Sequence, residues 1–454
     1  MVLNEDKNIS DKPKTFVRIA VRRSKNFNGG FIQMKKRILA LSLAAAMLVG
    51  AMASCSAKEE VVSSEAVEAR DITLTLWGPE QDQDFLKAIS KEWGDKYAAD
   101  NADVKSVTVD VKMVGEGDAT NNAMNDIAAA ADVFGIASDQ TKTLVDNNAI
   151  FPISESVAAQ VKDIIGDNTT YQSAVWNGTL YGVPYTDNTA AVLYYNKAKI
   201  SDEDAKSLNT ILEKGKLGIE SSGGWHDMMW FGSAGGELYT NHNKDVNTLN
   251  SDDTAKLLAW LAVQVKDGKI ARADKAESLS SWMQDGQVDA AIMGAWDAGT
   301  YQKILGDNYG VAELPCITVE GSGINNKHMM CFGGSKLNVI NAQTKEPEAA
   351  MSLALYISSL DAQVKRFQDP KAHKSPASVS LLSNAEIAAD PTVAANVAQT
   401  SYIVNASPLV GVSSYWGEMP GIINDIVDGK LSEEADIKAR LDAAVTKMQE
   451  NVNK

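Results

Sequence analysis

Trp77, Trp225, Trp296 and Trp416 each stand beside turn residues, in the contexts LWGPE, SGGWHD, MGAWDAG and SSYWGEMPG. An indole at a strand end or in a loop can face a cleft, offering flat apolar area and one donor. Pyranose rings have apolar C–H faces and a rim of hydroxyls, so indole stacking plus carboxylate and amide acceptors suits them. Suitable polar groups lie near these tryptophans: Glu80, Gln81, Asp82, Asp139, Asp187, Asn188, Asp297 and Glu418. For any single Trp the competing reading is core or hinge packing. Trp93 and Trp260 sit at helical spacing and read as core, whereas Trp176, Trp230 and Trp282 fit either reading.

Catalytic constellations are not apparent. The chain has no GxSxG, HExxH, P-loop or GxGxxG after a strand. The glycine clusters at 221–224 and 232–236 lack the Lys and helix context of a phosphate loop. Carboxylates abound, but no two are singled out as a glycosidase pair. Glu80, Asp82 and Asp84 lack the ligand spacing of an EF-hand, and the four His show no zinc spacing. The expectation is a binding protein, with no catalytic residues, metal or cofactor.

Met34–Ser56 has the form of a secretory signal. Lys35, Lys36 and Arg37 precede an apolar run, Ile38–Met52, and small residues then lead into Cys55. The run falls short of the roughly 20 residues of a spanning helix. A cysteine at the cleavage point resembles a bacterial lipobox, with Met52 where Leu is usual, and marks Cys55 for lipidation. Met34 reads as an alternative start to Met1. Residues 1–54 carry a net +7 in a chain of −16, which leaves −23 for the remainder. So acidic a domain repels nucleic acid and anionic lipid and better suits a neutral small molecule or a cation. Besides Cys55 only Cys316 and Cys331 remain. They can form two buried thiols or one disulfide across fourteen intervening residues.

The elements that would position the tryptophans follow from periodicity. Lys58–Arg70 lacks apolar periodicity and reads as a tether. Ile72–Trp77 and Val107–Val114 alternate as strands, and Phe85, Ile89, Trp93 and Tyr97 recur at helical spacing. Asn121–Ala131 reads as a helix and Asp132–Ile136 as a strand. Further on, Leu257–Val265 reads as a helix and Ala290–Met293 as a buried strand. Glu346–Ser358, Val379–Leu382, Val393–Val397, Ile422–Ile426 and Ile437–Val452 read as helices. Such alternation predicts α/β lobes with largely parallel sheets.

These contexts, in this order, resemble the maltose/maltodextrin-binding proteins of sugar-importing ABC transporters, over Ile72–Val452. The most specific stretch is Trp176–Pro184 followed by Leu193–Lys197, an NGxLYGVP…YYNK pattern. Asp132–Asp139 is similar to a strand that ends at the sugar cleft, Trp282–Trp296 to a helix–glycine–strand–GxW block, and Ser413–Trp416 to a late stacking Trp. The resemblance implies that Trp225, Trp296 and Trp416 stack on glucose rings. It implies that Asp139, a residue of the Glu80–Asp82 turn, and Asp187 or Asn188 accept sugar hydroxyls; Glu418 is a further candidate. Ile136, Gln140 and Pro420 replace an aromatic and two arginines of the family pattern, which bears on the length and end of the sugar rather than on the fold.

The resemblance also implies an α/β, two-lobed periplasmic-binding-protein-like fold with hinge crossovers near Pro184–Thr189, Glu313–Ile317 and Lys365. The expected divisions are 1–54 extension and signal, 55–70 tether, 71–186 with 315–365 as the N-terminal lobe, and 187–314 with 366–454 as the C-terminal lobe. The implied partners are a malto-oligosaccharide, ABC permease subunits and, through the lipid, the outer face of the cell membrane. The implied state is a monomer that binds no nucleic acid. Another neutral oligosaccharide, an extracellular glycosidase, and a peptide- or polyamine-binding protein are the rival readings.

Overall fold

The computed structural model describes residues 69–453 apart from 222, 241–242 and 406–414, and not the side chains of 188 and 405. The signal, Cys55 and nearly all of the tether therefore lie outside the described residues, as do Ser222, His242, Ser413 and Ser414.

The first lobe opens with β1 (Arg70–Gly78), α1 (Gln83–Asp100), β2 (Val104–Met113) and β3 (Val133–Ala137). Ile72, Leu74 and Leu76 alternate inward from β1, while Phe85, Ile89 and Trp93 line the buried face of α1. Strand β1 pairs in parallel with both β2 and β3. The helix expected over 121–131 spans only Ala119–Asn125. The Asp126 carboxylate accepts hydrogen bonds from the amides of Ala128 and Ala129, a turn that competes with helical pairing. Strand β4 (Val183–Thr189) leads out of this lobe.

The second lobe holds β5 (Ala191–Asn196), β6 (Leu217–Glu220), α2 (Asp252–Lys266), β7 (Ile270–Ala273), β8 (Ala290–Gly294), α3 (Ala298–Leu305) and β9 (Tyr309–Ala312). Its sheet runs β9-β5-β8-β6-β7, with β6 parallel to β7 and β8, and β5 antiparallel to β8 and β9. Ser251 caps α2 by accepting from the Thr254 amide.

The chain returns through β10 (Cys331–Ile340) and α4 (Pro347–Ile357), then crosses again to α5 (Pro391–Gln399), β11 (Ile403–Asn405), α6 (Tyr415–Val427) and α7 (Glu434–Val452). The beginning of β10 pairs with β11 and its end pairs with β3 and β4. One strand thus passes between the lobes. The expected helix over 379–382 is a single tight turn, Leu381–Ser383.

Two separate apolar cores show where the crossings fall. One gathers Ile72, Leu76, Phe134, Val183, Leu337, Leu353 and Ala377. The other gathers Ala190, Leu193, Trp230, Leu257, Leu314, Met329, Phe332, Ile422 and Leu441. The first switch of core falls between Val183 and Ala190. The other two differ from expectation. Residues 315–332 were expected in the first lobe, but Ile317, Val319, Ile324 and Phe332 bury against the second core, so the switch falls within β10. The last switch follows Ala377 rather than Lys365. The physical reason is that an apolar residue serves either core equally well, so nothing local in the sequence distinguishes them. No described helix is long and apolar enough to cross a membrane.

Candidate functional site

Where the two lobes face each other, the structure holds two adjoining cavities. The smaller, about 160 Å³, is walled by Gln81, Glu116, Thr186 and Lys336 on one side and Trp296, Thr392 and Asn396 on the other, with His373, Lys374 and Ser375 between. The larger, about 690 Å³, lies against Asp297, Thr300, Lys303 and Pro370 and shares Gln81, Trp296 and His373 with the first.

Trp296 follows the end of β8. The Tyr194 hydroxyl donates to the Gly294 carbonyl at 2.9 Å, and Tyr194 stacks on Tyr301. The indole lies back over Gly294, where a Cβ would come within 2.2 Å of its ring. Glycine is therefore required for that pose. Trp296 is 41% exposed, the only Trp among the exposed large apolar residues described. Trp225 meets it edge-on, centroids 5.2 Å apart at 64°, a favourable aromatic geometry. Trp225 is placed by Gly224, whose φ of +79° favours glycine and whose carbonyl accepts from the Tyr415 hydroxyl at 3.0 Å. Trp416 packs on Phe332 and Tyr415 and closes on the same Gly224. Trp225, Trp296 and Trp416 thus lie together around Gly224 and Gly294, whereas Trp77 packs on Phe134 against the first core.

The acceptors fare differently. Gln81 lines both cavities. Glu80 is exposed beside it, and Asp82 turns into the lobe, 1% exposed. Asp82 pairs there with Lys374 at 3.1 Å and with Arg366 at 3.4 Å. Arg366 is itself buried between the rings of Phe85 and Tyr185, 4.5 and 4.4 Å from their centroids. Asp187 is buried and accepts from the Thr170 hydroxyl at 3.0 Å. Glu418 pairs with Lys447 on the neighbouring helix. Asp139 sits in the turn after β3, where burial raises its carboxyl and Lys336 opposes the rise. Asn188 lies on β4, its side chain outside the described residues. Of the acceptors expected from sequence whose side chains are described, Gln81 lines both cavities and Asp297 the larger one.

Sequence reasoning did not single out Glu116, Lys336, His373, Lys374, Arg366 or Asn396. Glu116 accepts from the Tyr185 hydroxyl at 2.7 Å and lies 3.3 Å from the Lys374 ammonium. Burial pushes its carboxyl up, but Lys374, Lys336 and Tyr185 outweigh that and bring it down to about 2. Near Trp296 the sign is reversed. Burial carries Asp297 up to about 6, opposed by His226 and reinforced by Glu277 and Glu220. His226 in turn contacts Glu220 at 2.7 Å. Asn396 accepts from the Ala190 amide at 2.9 Å, joining α5 to the start of β5. One signal was available for part of this set: Lys365, Arg366, Lys371, His373 and Lys374 cluster within an otherwise acidic chain.

Among the described residues, no group of His, Cys, Asp and Glu is arranged to hold a metal ion. Cys316 and Cys331 are free thiols, and burial pushes Cys331 up to about 12.

Two α/β lobes joined by crossing strands, with a part-exposed indole facing a polar cavity between them, define a two-lobed ligand-binding protein. The chain belongs to the bacterial extracellular solute-binding protein family, which matches residues 92–395. It is similar to the galactooligosaccharide-binding protein of Bacillus subtilis (strain 168), 23% identical over 436 residues, 91% of this chain and 96% of that protein. A structure solved with acarbose superposes with a TM-score of 0.76 at 27% identity, covering 84% of this chain and 99% of that one. The ligand-free maltodextrin-binding protein MalE1 of L. casei BL23 superposes with a TM-score of 0.73 at 24% identity, covering 83% and 98%.

Proposed function

We propose that the protein captures malto-oligosaccharides outside the bacterial cell and hands them to an ABC importer, acting as a monomer held at the membrane by a lipid on Cys55. The observation that carries the sugar reading is the Trp296 indole, exposed at the wall of both cavities and braced edge-on by Trp225. A flat apolar face ringed by Gln81, Thr300 and Asn396 suits a pyranose, which offers C–H groups to the face and hydroxyls to the rim. Closure of the lobes buries the sugar, and the ligand drives closure only by its preference for the closed form.

The galactooligosaccharide-binding relative, aligned over nearly the whole chain, favours a second reading in which another neutral oligosaccharide is the cargo. Calorimetry separates the two. Maltotriose is expected to bind, and at about 100 times its dissociation constant to add about 2.7 kcal/mol to the unfolding free energy. Binding of β-galacto-oligosaccharides with no response to maltotriose would replace the first reading with the second. Accumulation of shortened products from maltodextrin would point to a glycosidase instead. Lipidation is checked by palmitate labelling, which Cys55→Ala should abolish.

A further inference from the structure

The smaller cavity has an unexpected charge. The chain as a whole carries −16, yet Lys336, His373 and Lys374 line this cavity, and Glu116 is the one carboxylate among the described residues of its wall. Glu116 is already engaged by Tyr185 and Lys374. Lys374 is shared between Glu116 and Asp82. Lys336, by contrast, has no carboxylate within ion-pairing distance among the described residues. It bears on Glu116 and Asp139 only through the longer-range attraction that favours their ionised forms.

His373 adds a further cation, and geometry assigns its charge. Its Nδ1 lies 2.5 Å from the Phe367 carbonyl and its Nε2 lies 3.2 Å from the Asp390 carboxylate. Both partners can only accept, so each ring nitrogen must carry a proton. Asp390 is fixed in turn as the cap of α5, accepting from the amides of Thr392 and Val393. Finally, the Ser375 hydroxyl, also in the wall, is enclosed and has no hydrogen-bond partner among the described residues. A cavity so rich in donors, with its carboxylate already engaged, suits an acceptor-rich ligand.

We propose that the cleft takes an oligosaccharide bearing one anionic group, a carboxylate or a phosphate, seated beside Lys336, Lys374 and Ser375, while its neutral rings lie on Trp296. The division of volume suits this. About 160 Å³ holds a small charged substituent, and the adjoining 690 Å³ holds sugar rings, with Gln81, Trp296 and His373 common to both. The inference refines the oligosaccharide-capture reading and rests on it.

Calorimetry with four probes tests it: maltotriose, maltotrionate, maltotriose with glucuronate at its non-reducing end, and maltotriose 6-phosphate. At least one acidic probe is expected to bind about tenfold or more tighter than maltotriose, the gain of one added charge-assisted hydrogen bond. Carboxylate and phosphate arms tell the two sources apart. The preference should shrink as salt rises from low to physiological ionic strength, collapse in Lys336→Met and persist in Lys336→Arg. Maltotriose binding at least as tightly as every acidic probe would overturn the inference while leaving oligosaccharide capture intact. If none of the four binds, the inference and the malto-oligosaccharide reading both fall. A preference unchanged in Lys336→Met would overturn the assignment to this cavity.

Discussion

The two sides of the cleft are built on opposite principles. On one, Asp82, Arg366, Lys374, Glu116 and Tyr185 interlock as buried ions and aromatic rings. On the other, Trp296 lies exposed on a glycine and is held by the edge of a second indole. Buried ions are costly to separate once they are paired with one another, and those pairs hold the wall of the cavity in place. An exposed indole contributes little to folding and retains its interaction for the ligand. The interlocked ions should therefore govern stability and the shape of the cavity, and the aromatic side affinity for neutral sugar rings.

The sharpest test removes the centre of the charged side. Arg366→Ala leaves Asp82 buried without its guanidinium and opens a gap between Phe85 and Tyr185. It should cost about 3–5 kcal/mol in denaturant unfolding. A loss below 1 kcal/mol would break the contrast at once.

The pH dependence of stability should separate the sides by sign. Glu116 sits at about 2, below its ordinary carboxylate value. Its contribution is present above the unfolded-state value near 4.5 and is lost as pH falls through that value toward 2. Asp297 sits at about 6, above its ordinary value. Its contribution is full below about 4 and is lost as pH rises through 6. Each amounts to about 2–3 kcal/mol across its window. Glu116→Gln should flatten the acid limb of the stability profile and Asp297→Asn the limb between pH 4 and 7. The opposite assignment would show the electrostatics of the two sides to be misread.

Trp296→Ala should weaken oligosaccharide binding by about 1–2 kcal/mol, a several-fold to thirtyfold loss. Thermal stability should change little, because the ring is already 41% exposed. A large fall in melting temperature with unchanged affinity would reverse the roles of the two sides. Trp225→Leu keeps an apolar side chain but removes the edge-on ring. Its effect on affinity should be smaller, about 0.5–1 kcal/mol. An effect larger than that of Trp296→Ala would move the principal stacking surface to Trp225.

The aromatic side was legible because its signals are local. Gly-Ala-Trp after a buried strand and Gly-Gly-Trp in a loop each carry the glycine that places the indole, within two residues of it. The elements read from periodicity were legible for the same reason, apart from the turn at Asp126 and the short turn at Leu381–Ser383, but β4, β6, β7, β9, β10 and β11 were not read as strands. The charged side was not legible. Asp82, Glu116, Tyr185, Lys336, Arg366 and Lys374 lie far apart in the chain, and nothing near any of them names its partner. The chain's acidity pointed toward a neutral or cationic ligand, but net charge averages over a surface and says nothing about a cavity.

By itself, then, the sequence determined the α/β alternation and which indoles stand at element ends, and it carried the resemblance that implies two hinged lobes. Periodicity and turn chemistry act over a few residues and need no distant partner. Only the tertiary structure decided that the middle crossing runs through β10, that Asp82 faces inward while Gln81 faces the cavity, and that Lys336 lines the cleft with no carboxylate paired to it among the described residues. Burial and ion pairing depend on which surfaces meet, and those contacts join residues up to 292 positions apart.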